Sequence, residues 1–446
     1  MTSFIFVLLS ANMERNLLIV GEDMEQQYHR GIAYYSKSLL KATHTLGYHN
    51  YLLTSAPNAS SPALKELSVL RNLMDPTVVD FGKRKKVLYY INKYFGKKQY
   101  ENIPINFYRD IIKEVPRLDY IQNLQGFSNN PYQYLEIDFH SNFLKKTARI
   151  DLPVEKNFKA VVSTSPLAIR VPKAPLIQTI HDIIPISTHL HMIPRHGLER
   201  ILNRTAKMLM YSDLLLSVSE YSRQEVLRFF PGYEDKIKTT HIAVPILNED
   251  YNVAQNELIS HAVLEVHGLE KGNFLFYVGA IEDRKNIERM IFAYNAIKHK
   301  IKIPLVIAGY LGGAFPHLKK LIHESKDVIF LEKINSISKL ILLKSARAFI
   351  FPSLYEGFGI PPLEAMYMEC PVLTSNVSSL PEVCGDAALY VNPLSLDDMA
   401  SQMLLISTDE SLQKQLISKG LERVKQFSNE AYNQRLKLAL DKIVLR

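Results

Sequence analysis

Short apolar runs alternate with amphipathic stretches along most of the chain. Residues 17–20, "LLIV", and 50–55, "NYLLTS", are nearly continuous apolar runs, which are typical of strands buried in a parallel sheet. Between them, residues 31–47 place apolar side chains at helical spacing and end in a glycine, as helices often do. The chain is therefore predicted to open with a strand, a helix and a second strand.

The alternation recurs in two series, and a less regular, basic stretch at 57–150 interrupts the first of them. Further strands of the first series are predicted at 160–165, 176–182, 214–219 and 237–245, with helices at 195–212 and 222–230. The second series has predicted strands at 274–281, 304–310, 328–334, 348–353, 371–375 and 388–393. Its predicted helices lie at 286–299, 315–325, 336–346, 361–369, 396–407, 411–426 and 429–444. Two doubly wound α/β domains follow from this pattern, facing across a cleft.

The predicted boundaries are an N-terminal domain over 1–250, a C-terminal domain over 251–425 and a last helical segment over 426–446. The last segment is expected to pack back on the N-terminal domain. Residues 246–270 are interpreted as a polar link between the domains. The apolar run "FIFVLL" near the N-terminus is too short for a signal peptide or a spanning helix, and is interpreted as a dispensable extension.

Composition adds two constraints. The formal net charge of +8 favours anionic partners such as nucleotides, phospholipid surfaces or nucleic acid. Two cysteines, Cys370 and Cys384, in a chain of 446 residues argue against a disulfide framework and favour a reducing, cytoplasmic location. No metal-ligand spacing such as CxxC or HExxH occurs, so no metal site is predicted.

Two cations follow a predicted strand of the second series and directly precede a helix. Arg284 and Lys285 stand where a helix N-terminus and two positive charges would both face a bound phosphate. The alternative interpretation is an exposed loop with scattered charge, in which Asn286 is the helix N-cap.

A glycine-rich run, "EGFGIPPLE", follows another strand of the second series. Gly357 and Gly359 let the backbone approach a ligand and leave N–H groups available. Glu356 precedes them and can accept hydrogen bonds from the hydroxyls of a polyol. Glu364 falls in the predicted first turn of the next helix, where the helix dipole alone would favour a carboxylate.

Three features elsewhere carry competing interpretations. His181 follows a strand of the first series, so it either points across the cleft or is a buried histidine with a structural hydrogen bond. Ser222 and Glu225 match the capping-box pattern at a helix start, while Ser219 and Glu220, just before them, are candidates to border the cleft. Residues 82–98, with Lys83, Arg84, Lys85 and Lys86, form a basic amphipathic stretch, suited to an anionic membrane surface or to a solvated helix face. No nucleic-acid-binding module surrounds this stretch.

Five blocks, in order, resemble the retaining GT-B glycosyltransferases of family 4, also called glycosyl transferases group 1. The blocks are "TIHDIIPI", "VSEYSRQEV", "YVGAIEDRKNIERMIFAY", "EGFGIPPLE" and "LPEVCGDAALYVNP". The nearest resemblance is to bacterial mannosyl- and rhamnosyltransferases of surface polysaccharide synthesis. Where the family often has a Gly-Gly pair in its first loop, this chain offers only Arg30 and Gly31 for acceptor and phosphate contacts.

The resemblance implies a role for each candidate residue. Arg284 and Lys285 would hold the donor diphosphate, Glu356 would bind the transferred sugar, and His181 would contact that sugar near the reacting centre. The remaining donor-binding residues would be Gly279, Gly357, Phe358, Gly359, Ile360, Glu364, Glu382 and Val383. Glu364 among them would bind the ribose.

The predicted function is transfer of a hexose, with GDP-mannose as the first guess for the donor, to a glycan or lipid-linked acceptor in polysaccharide or lipopolysaccharide synthesis. The enzyme would work without metal at the inner face of the membrane. No permanently bound cofactor and no nucleic-acid partner are expected. Three alternatives stay open: a nucleotide-sugar 2-epimerase, a phosphorylase on the same fold, and a non-catalytic nucleotide-sugar-binding protein.

Overall fold

A computed structural model describes most of the chain, and it divides into two compact units. The described residues are 15–25, 31–56, 61–74, 101–105, 116–130, 133–142, 144–152, 157–183, 195–310, 316–332 and 334–444. Unit 1 comprises residues up to Val218, Arg223–Thr240 and residues from Tyr432 onward, and unit 2 comprises Ser219–Ser222 and His241–Ala431. The chain thus leaves unit 1 at Thr240, whereas the sequence placed the domain boundary at 250.

Unit 1 contains an eight-stranded sheet with the order β10-β9-β8-β6-β1-β2-β4-β3. Its strands are β1 (Asn16–Val20), β2 (His49–Thr54), β3 (Glu101–Pro104), β4 (Leu124–Asn129), β6 (Phe158–Ser163), β8 (Leu176–Ile180), β9 (Leu214–Ser217) and β10 (Ile237–Thr239). A separate parallel pair consists of β5 (Ala148–Arg149) and β7 (Ile169–Arg170). The described helices are α1 (Gly31–Thr45), α2 (Pro62–Met74), α3 (Gln133–Asn142), α4 (Arg195–Tyr211) and α5 (Glu220–Phe229), whose first residues belong to unit 2.

The stretch at 57–150 contributes more regular structure than the sequence indicated. β4 pairs in parallel with β2, and β3 pairs antiparallel with β4 at the edge of the sheet. "LQGFSN" in β4 is rich in residues that disfavour strands, yet all but one of its residues are buried. Pairing on both sides therefore stabilises a strand that its own sequence does not encode.

Unit 2 is a six-stranded, all-parallel sheet with the order β13-β12-β11-β14-β15-β16. Its strands are β11 (Leu275–Val278), β12 (Leu305–Ala308), β13 (Val328–Leu331), β14 (Ala348–Phe351), β15 (Val372–Ser375) and β16 (Leu389–Val391). The helices that cover it are α8 (Ile287–Ile301), α9 (Pro316–Glu324), α10 (Ser336–Ser345), α11 (Ile360–Tyr367), α12 (Leu380–Cys384), α13 (Leu396–Thr408) and α14 (Glu410–Lys425). Strand order reverses between β11 and β14, which is where ligands of such sheets bind.

Two further results concern the connecting segments. The predicted polar link at 246–270 is instead two helices, α6 (Asn248–Gln255) and α7 (Glu257–Val266). The last helix, α15 (Asn429–Val444), passes from unit 2 into unit 1 at Tyr432. Within the described ranges, no helix is both long and apolar enough to cross a membrane.

Candidate active site

A buried carboxylate bound by two cations lies where the strand order of unit 2 reverses, between β11 and β14. We call its three residues, Arg284, Lys285 and Glu356, the switch-point cluster. Arg284 and Lys285 follow β11, and Glu356 follows β14. The Lys285 Nζ atom lies 2.6 Å from Glu356 Oε1, and an Arg284 guanidinium nitrogen lies 3.1 Å from Glu356 Oε2. The two strand ends therefore bring together three of the four residues predicted to be catalytic.

Electrostatics holds this cluster in its ionised form. Burial alone would raise the pKa of Glu356, but Lys285 and Arg284 outweigh burial and lower it. Burial lowers the pKa of Lys285, and the attraction of Glu356 opposes this effect. The ammonium also lies 4.8 Å from the centre of the Phe351 ring. Glu282 pairs with Arg284 at 3.0 Å, so each cation has a carboxylate partner.

Asn286 occupies the N-cap position that the alternative interpretation gave it, but its side chain is used elsewhere. It stands at the N-cap position of α8 in the left-handed region, with φ of 61°, but its side chain makes no capping hydrogen bond. Its Nδ2 donates instead to the carbonyl oxygens of Pro352 and Pro393, at 3.0 and 2.8 Å. Asn286 thereby connects the Arg284–Lys285 turn to the loops after β14 and β16, which makes that turn part of a built site rather than a loose loop.

The glycine-rich run forms a tight turn into α11. Gly359 has a φ of 121°, and a Cβ added there would lie 3.0 Å from Leu380 Cδ2, so a side chain would be strained and crowded. Phe358 is buried, with its ring 5.6 Å from that of Phe427. Ile360 begins α11. Gly279, after β11, lies close to the Tyr277 hydroxyl, which an added Cβ would approach to 2.7 Å.

Three serines hold the carbonyl groups of this turn. Ser219 and Ser222 donate to the Gly357 carbonyl at 2.6 and 3.1 Å. Ser379 lies 2.9 Å from the Glu356 carbonyl and 2.6 Å from that of Phe358. Within the described residues, no acceptor takes a hydrogen bond from the N–H groups at 357, 358 or 359.

Glu364 is buried in α11 and pairs with Lys339 of α10 at 2.5 Å. The helix begins at Ile360 and has no acidic residue in its first turn. The expectation that Glu364 lies in that turn is therefore wrong, because the helix starts earlier than its prolines indicated. The helix dipole falls off beyond the first turn, so it no longer accounts for this carboxylate.

Glu382 and Val383 lie in α12, and the structure gives Glu382 a full set of protein partners. Its carboxylate accepts hydrogen bonds from the N–H groups of Glu220 and Tyr221 at 2.7 and 2.8 Å, and it lies 2.8 Å from His241. Burial opposes ionisation, but these bonds together lower the pKa of Glu382. Val383 is fully buried, and its carbonyl accepts from Arg423.

The predicted capping box at Ser222 and Glu225 is wrong. α5 begins at Glu220, so Ser219 is the N-cap, and its Oγ accepts from the Ser222 N–H at 3.0 Å. Ser222 lies inside the first turn, where the sequence pattern had shifted the helix start by one turn.

His181 lies in unit 1, after β8, beside residues that follow β1 and β6. Its Nε2 lies 2.7 Å from the Thr164 carbonyl, and the Thr164 hydroxyl donates to the buried Asp23 at 2.9 Å. Burial lowers the pKa of His181. Because a carbonyl only accepts, Nε2 carries the proton and Nδ1 keeps its lone pair. The hydrogen bond predicted by the structural interpretation is present.

Some predicted residues lie outside the described ranges or have no described side chain. Arg30 and the basic cluster Lys83, Arg84, Lys85 and Lys86 lie outside them, and Gly31 is described only as the first residue of α1. In the described part of the chain, no group of three or more His, Cys, Asp or Glu side chains is placed to hold a metal ion.

Several contacts of the site were not predicted from the sequence. They involve Ser378, which accepts from the Glu356 N–H at 3.0 Å, together with Ser379, Glu282, Lys339 and His241. The sequence held only a weak indication of these contacts. Residues 376–382, "NVSSLPE", are a polar run that directly follows a predicted strand. Arg284 and Glu356 were singled out because they also follow predicted strands.

Sequence comparison now identifies the family. A profile described as "Glycosyl transferases group 1" matches residues 263–423, which span the switch-point cluster and the glycine turn. The O-antigen chain mannosyltransferase B of Escherichia coli is 33% identical over 259 residues, which cover 57% of this chain and 67% of that protein. The chain belongs to the group 1 glycosyltransferases.

Other relatives of this group 1 glycosyltransferase share less of their length with it. The serotype-specific mannosyltransferase WbdA of Escherichia coli is 27% identical, and the match covers 56% of this chain but only 31% of WbdA. The O-antigen chain mannosyltransferase RfbU of Salmonella typhimurium is 29% identical over 52% of this chain and 60% of RfbU. The chain thus spans about a third of WbdA, and matches under two thirds of RfbU.

Solved structures show the same fold. Sucrose-phosphate synthase from Thermosynechococcus elongatus matches 97% of the chain and all of that structure, with a TM-score of 0.61 and 16% identity. HepE from Anabaena, in complex with UDP-glucose, matches 96% of the chain and 99% of that structure, with a TM-score of 0.62 and 12% identity. The predictions of the family, of the GT-B fold and of an enzyme that is a glycosyltransferase are confirmed.

Proposed function

We propose that this glycosyltransferase moves a hexose from a nucleoside-diphosphate sugar, with retention, to a glycan acceptor in surface polysaccharide synthesis. The observation that carries the proposal is the switch-point cluster, in which two cations hold a buried carboxylate next to unpaired backbone N–H groups. Phosphates bind to cations and backbone N–H groups, and sugar hydroxyls bind to carboxylates.

Each part of the donor has a matching group in unit 2. The Lys285 ammonium uses one N–H on Glu356 and keeps others for a phosphate oxygen. Glu356, once it accepts from sugar hydroxyls, is held in place by the same two cations. Glu364, paired on one oxygen with Lys339, keeps its second oxygen for the ribose. The donor would therefore lie along the turn from Glu356 to Glu364.

The chemistry expected of this arrangement is stabilisation of the leaving group. As the bond from the sugar to the phosphate breaks, negative charge grows on the nucleoside diphosphate, and Arg284 and Lys285 would offset it. A nucleoside diphosphate is already a good leaving group, so no strong general acid is needed. Glu356 is held by two cations and acts as a hydroxyl acceptor, unlike the paired acid and nucleophile of a retaining glycosidase. We propose front-face attack by the acceptor and no metal requirement.

The donor is proposed to be GDP-mannose, because the relatives at 27–33% identity are described as mannosyltransferases. A thermal-shift screen of GDP-, UDP-, ADP- and dTDP-sugars tests this choice, since a ligand that binds the native state raises its apparent stability. The largest shift is expected with GDP-mannose. A larger shift with a UDP-sugar, the ligand that HepE carries, would overturn it.

Turnover of the donor tests the reaction itself. With an acceptor glycan, wild type should release GDP and transfer mannose, while K285A and E356Q should lose at least about 100-fold of that rate. Donor conversion without any acceptor would indicate the epimerase, and phosphate-dependent cleavage the phosphorylase. Donor binding without any conversion would indicate the binding protein. Equal turnover by wild type, K285A and E356Q would remove the proposed site.

A lipid-linked acceptor at the inner membrane face is the proposed setting. The support is the basic run at 82–98, which suits an anionic lipid surface. Sedimentation with vesicles rich in anionic lipid tests it. Reversal of Lys83, Arg84, Lys85 and Lys86 to Glu should abolish binding, and unaltered binding would remove the membrane from the proposal.

A further inference from the structure

Serine hydroxyls bind the carbonyl groups of three consecutive peptide groups of the glycine turn. We call Ser219, Ser222 and Ser379 the serine clamp. Ser219 and Ser222 bind the carbonyl of Gly357, and Ser379 binds those of Glu356 and Phe358. All three serines are fully buried, and both bonds of Ser379 are buried as well.

Hydrogen bonding fixes the direction in which the clamp donates. The Ser219 Oγ accepts from the Ser222 N–H, which leaves its own proton for the Gly357 carbonyl. Two hydroxyls on one carbonyl use both of its lone pairs. The single proton of Ser379 serves one carbonyl at a time, and its shorter contact is to Phe358, at 2.6 Å.

Holding the carbonyls determines where the N–H groups point. In a trans peptide the C=O and N–H of one plane point in opposite directions, and no cis peptide occurs in the described residues. Carbonyls 356, 357 and 358 share their planes with the N–H groups of residues 357, 358 and 359. Each of these N–H groups therefore points away from the serine that binds the carbonyl of the same peptide plane, and no described residue accepts from it.

We infer that the serine clamp positions these three N–H groups for the donor's terminal phosphate and sugar. Ser219, Ser222 and Ser379 are then positioning residues, which act through the backbone without touching the donor. The inference rests on the proposed function. Preorganised N–H donors bind a developing negative charge without the cost of reorienting at the moment of reaction, so the clamp should matter for the diphosphate more than for the rest of the nucleotide.

The test compares two nucleotides in one double variant. S222A/S379A removes clamp hydroxyls while keeping Ser219, the N-cap of α5. Calorimetry should show binding of GDP weakened by about tenfold or more, as expected when one or two hydrogen bonds that orient the N–H groups are lost. Binding of GMP, which lacks the terminal phosphate, should change by less than about threefold. S222T/S379A keeps one hydroxyl and should recover part of the loss.

A matched control separates positioning from general loosening. Ser407 in α13 is also buried in unit 2, and its hydroxyl donates to the Met403 carbonyl at 2.6 Å. S407A should leave the affinities for GDP and GMP unchanged. Equal losses of GDP and GMP binding in S222A/S379A, or no loss at all, would overturn the inference. Wild type that binds neither GDP nor UDP would overturn the proposed function as well, and so the two failures are distinguishable.

Discussion

At the scale of single residues, Glu356 makes stability depend on pH. Its pKa is lower in the fold than in the unfolded chain, because Lys285 and Arg284 outweigh its burial. Such a carboxylate stabilises the fold above its unfolded pKa, about 4.5, and loses this contribution as the pH falls through the lower, folded pKa. The window of lost stability therefore lies at and below about pH 4.5.

The expected measurement is a comparison of wild type with E356Q. Urea unfolding should show a free-energy difference that is largest near about pH 7 and shrinks toward zero as the pH falls below about 4.5. Glutamine cannot ionise, so E356Q lacks this pH-dependent contribution. A difference that stays constant across the range would show that the cations do not stabilise the ionised form of Glu356.

Glu364 is the residue whose interpretation changed most. It lies beyond the first turn of α11 and is paired with Lys339, so a ligand role no longer competes with a dipole effect. If it binds ribose hydroxyls, wild type should prefer GDP over 2′,3′-dideoxy-GDP by about tenfold, the value of roughly one hydrogen bond to a charged group. E364A should bind both nucleotides alike. A preference retained by E364A would assign the ribose contact to another residue.

At the scale of elements, α8 has left-handed residues at both ends. Asn286 has a φ of 61° before the helix, and Lys302 has a φ of 54° after it. Only Asn286 binds other loops, through Pro352 and Pro393. Asn286 therefore contributes to the site through both its side chain and its left-handed backbone conformation. Lys302 shares only the left-handed backbone conformation.

Glycine substitution separates these contributions. N286G keeps the left-handed conformation but leaves two buried carbonyls without donors, so it should destabilise the fold by about 1–3 kcal/mol. N286A adds the cost of a left-handed alanine and should lose roughly 1 kcal/mol more. K302G, the matched control, should be neutral or stabilising by up to about 1 kcal/mol. Urea unfolding measures all three, and an N286G as stable as wild type would contradict the proposed bridging role.

The elements also show what the sequence could and could not predict. Buried parallel strands such as β11 and β14 are short apolar runs, so they and the polar residues after them, Arg284 and Glu356, were predictable. β4 is stabilised by its neighbours and was missed. The serine clamp was also missed, because its bonds join residues up to 138 positions apart, a separation at which periodicity and local motifs carry no information.

At the scale of the whole molecule, α15 crosses from one unit to the other. From Tyr432 onward it belongs to unit 1, where Leu436 and Leu440 are fully buried and Arg435 donates to the Thr240 carbonyl at 2.8 Å. Tyr432 is also buried, and burial beside Tyr35 of α1 raises the pKa of Tyr432 well above its ordinary value. The part of α15 from Tyr432 onward thus contributes to the core of unit 1.

Two leucines of this helix offer a matched test of that conclusion. Leu440 is fully buried, whereas Leu438 is 70% exposed. L440A should destabilise unit 1 by about 2–5 kcal/mol through the lost burial and the cavity that remains, and L438A should change stability by less than about 0.5 kcal/mol. Hydrogen exchange should locate the effect: protection falls in α1 and β8 of the L440A variant, while β11–β16 keep theirs, because stability differs between cooperative units. Loss of protection centred on β11–β16 would instead assign the helix to unit 2.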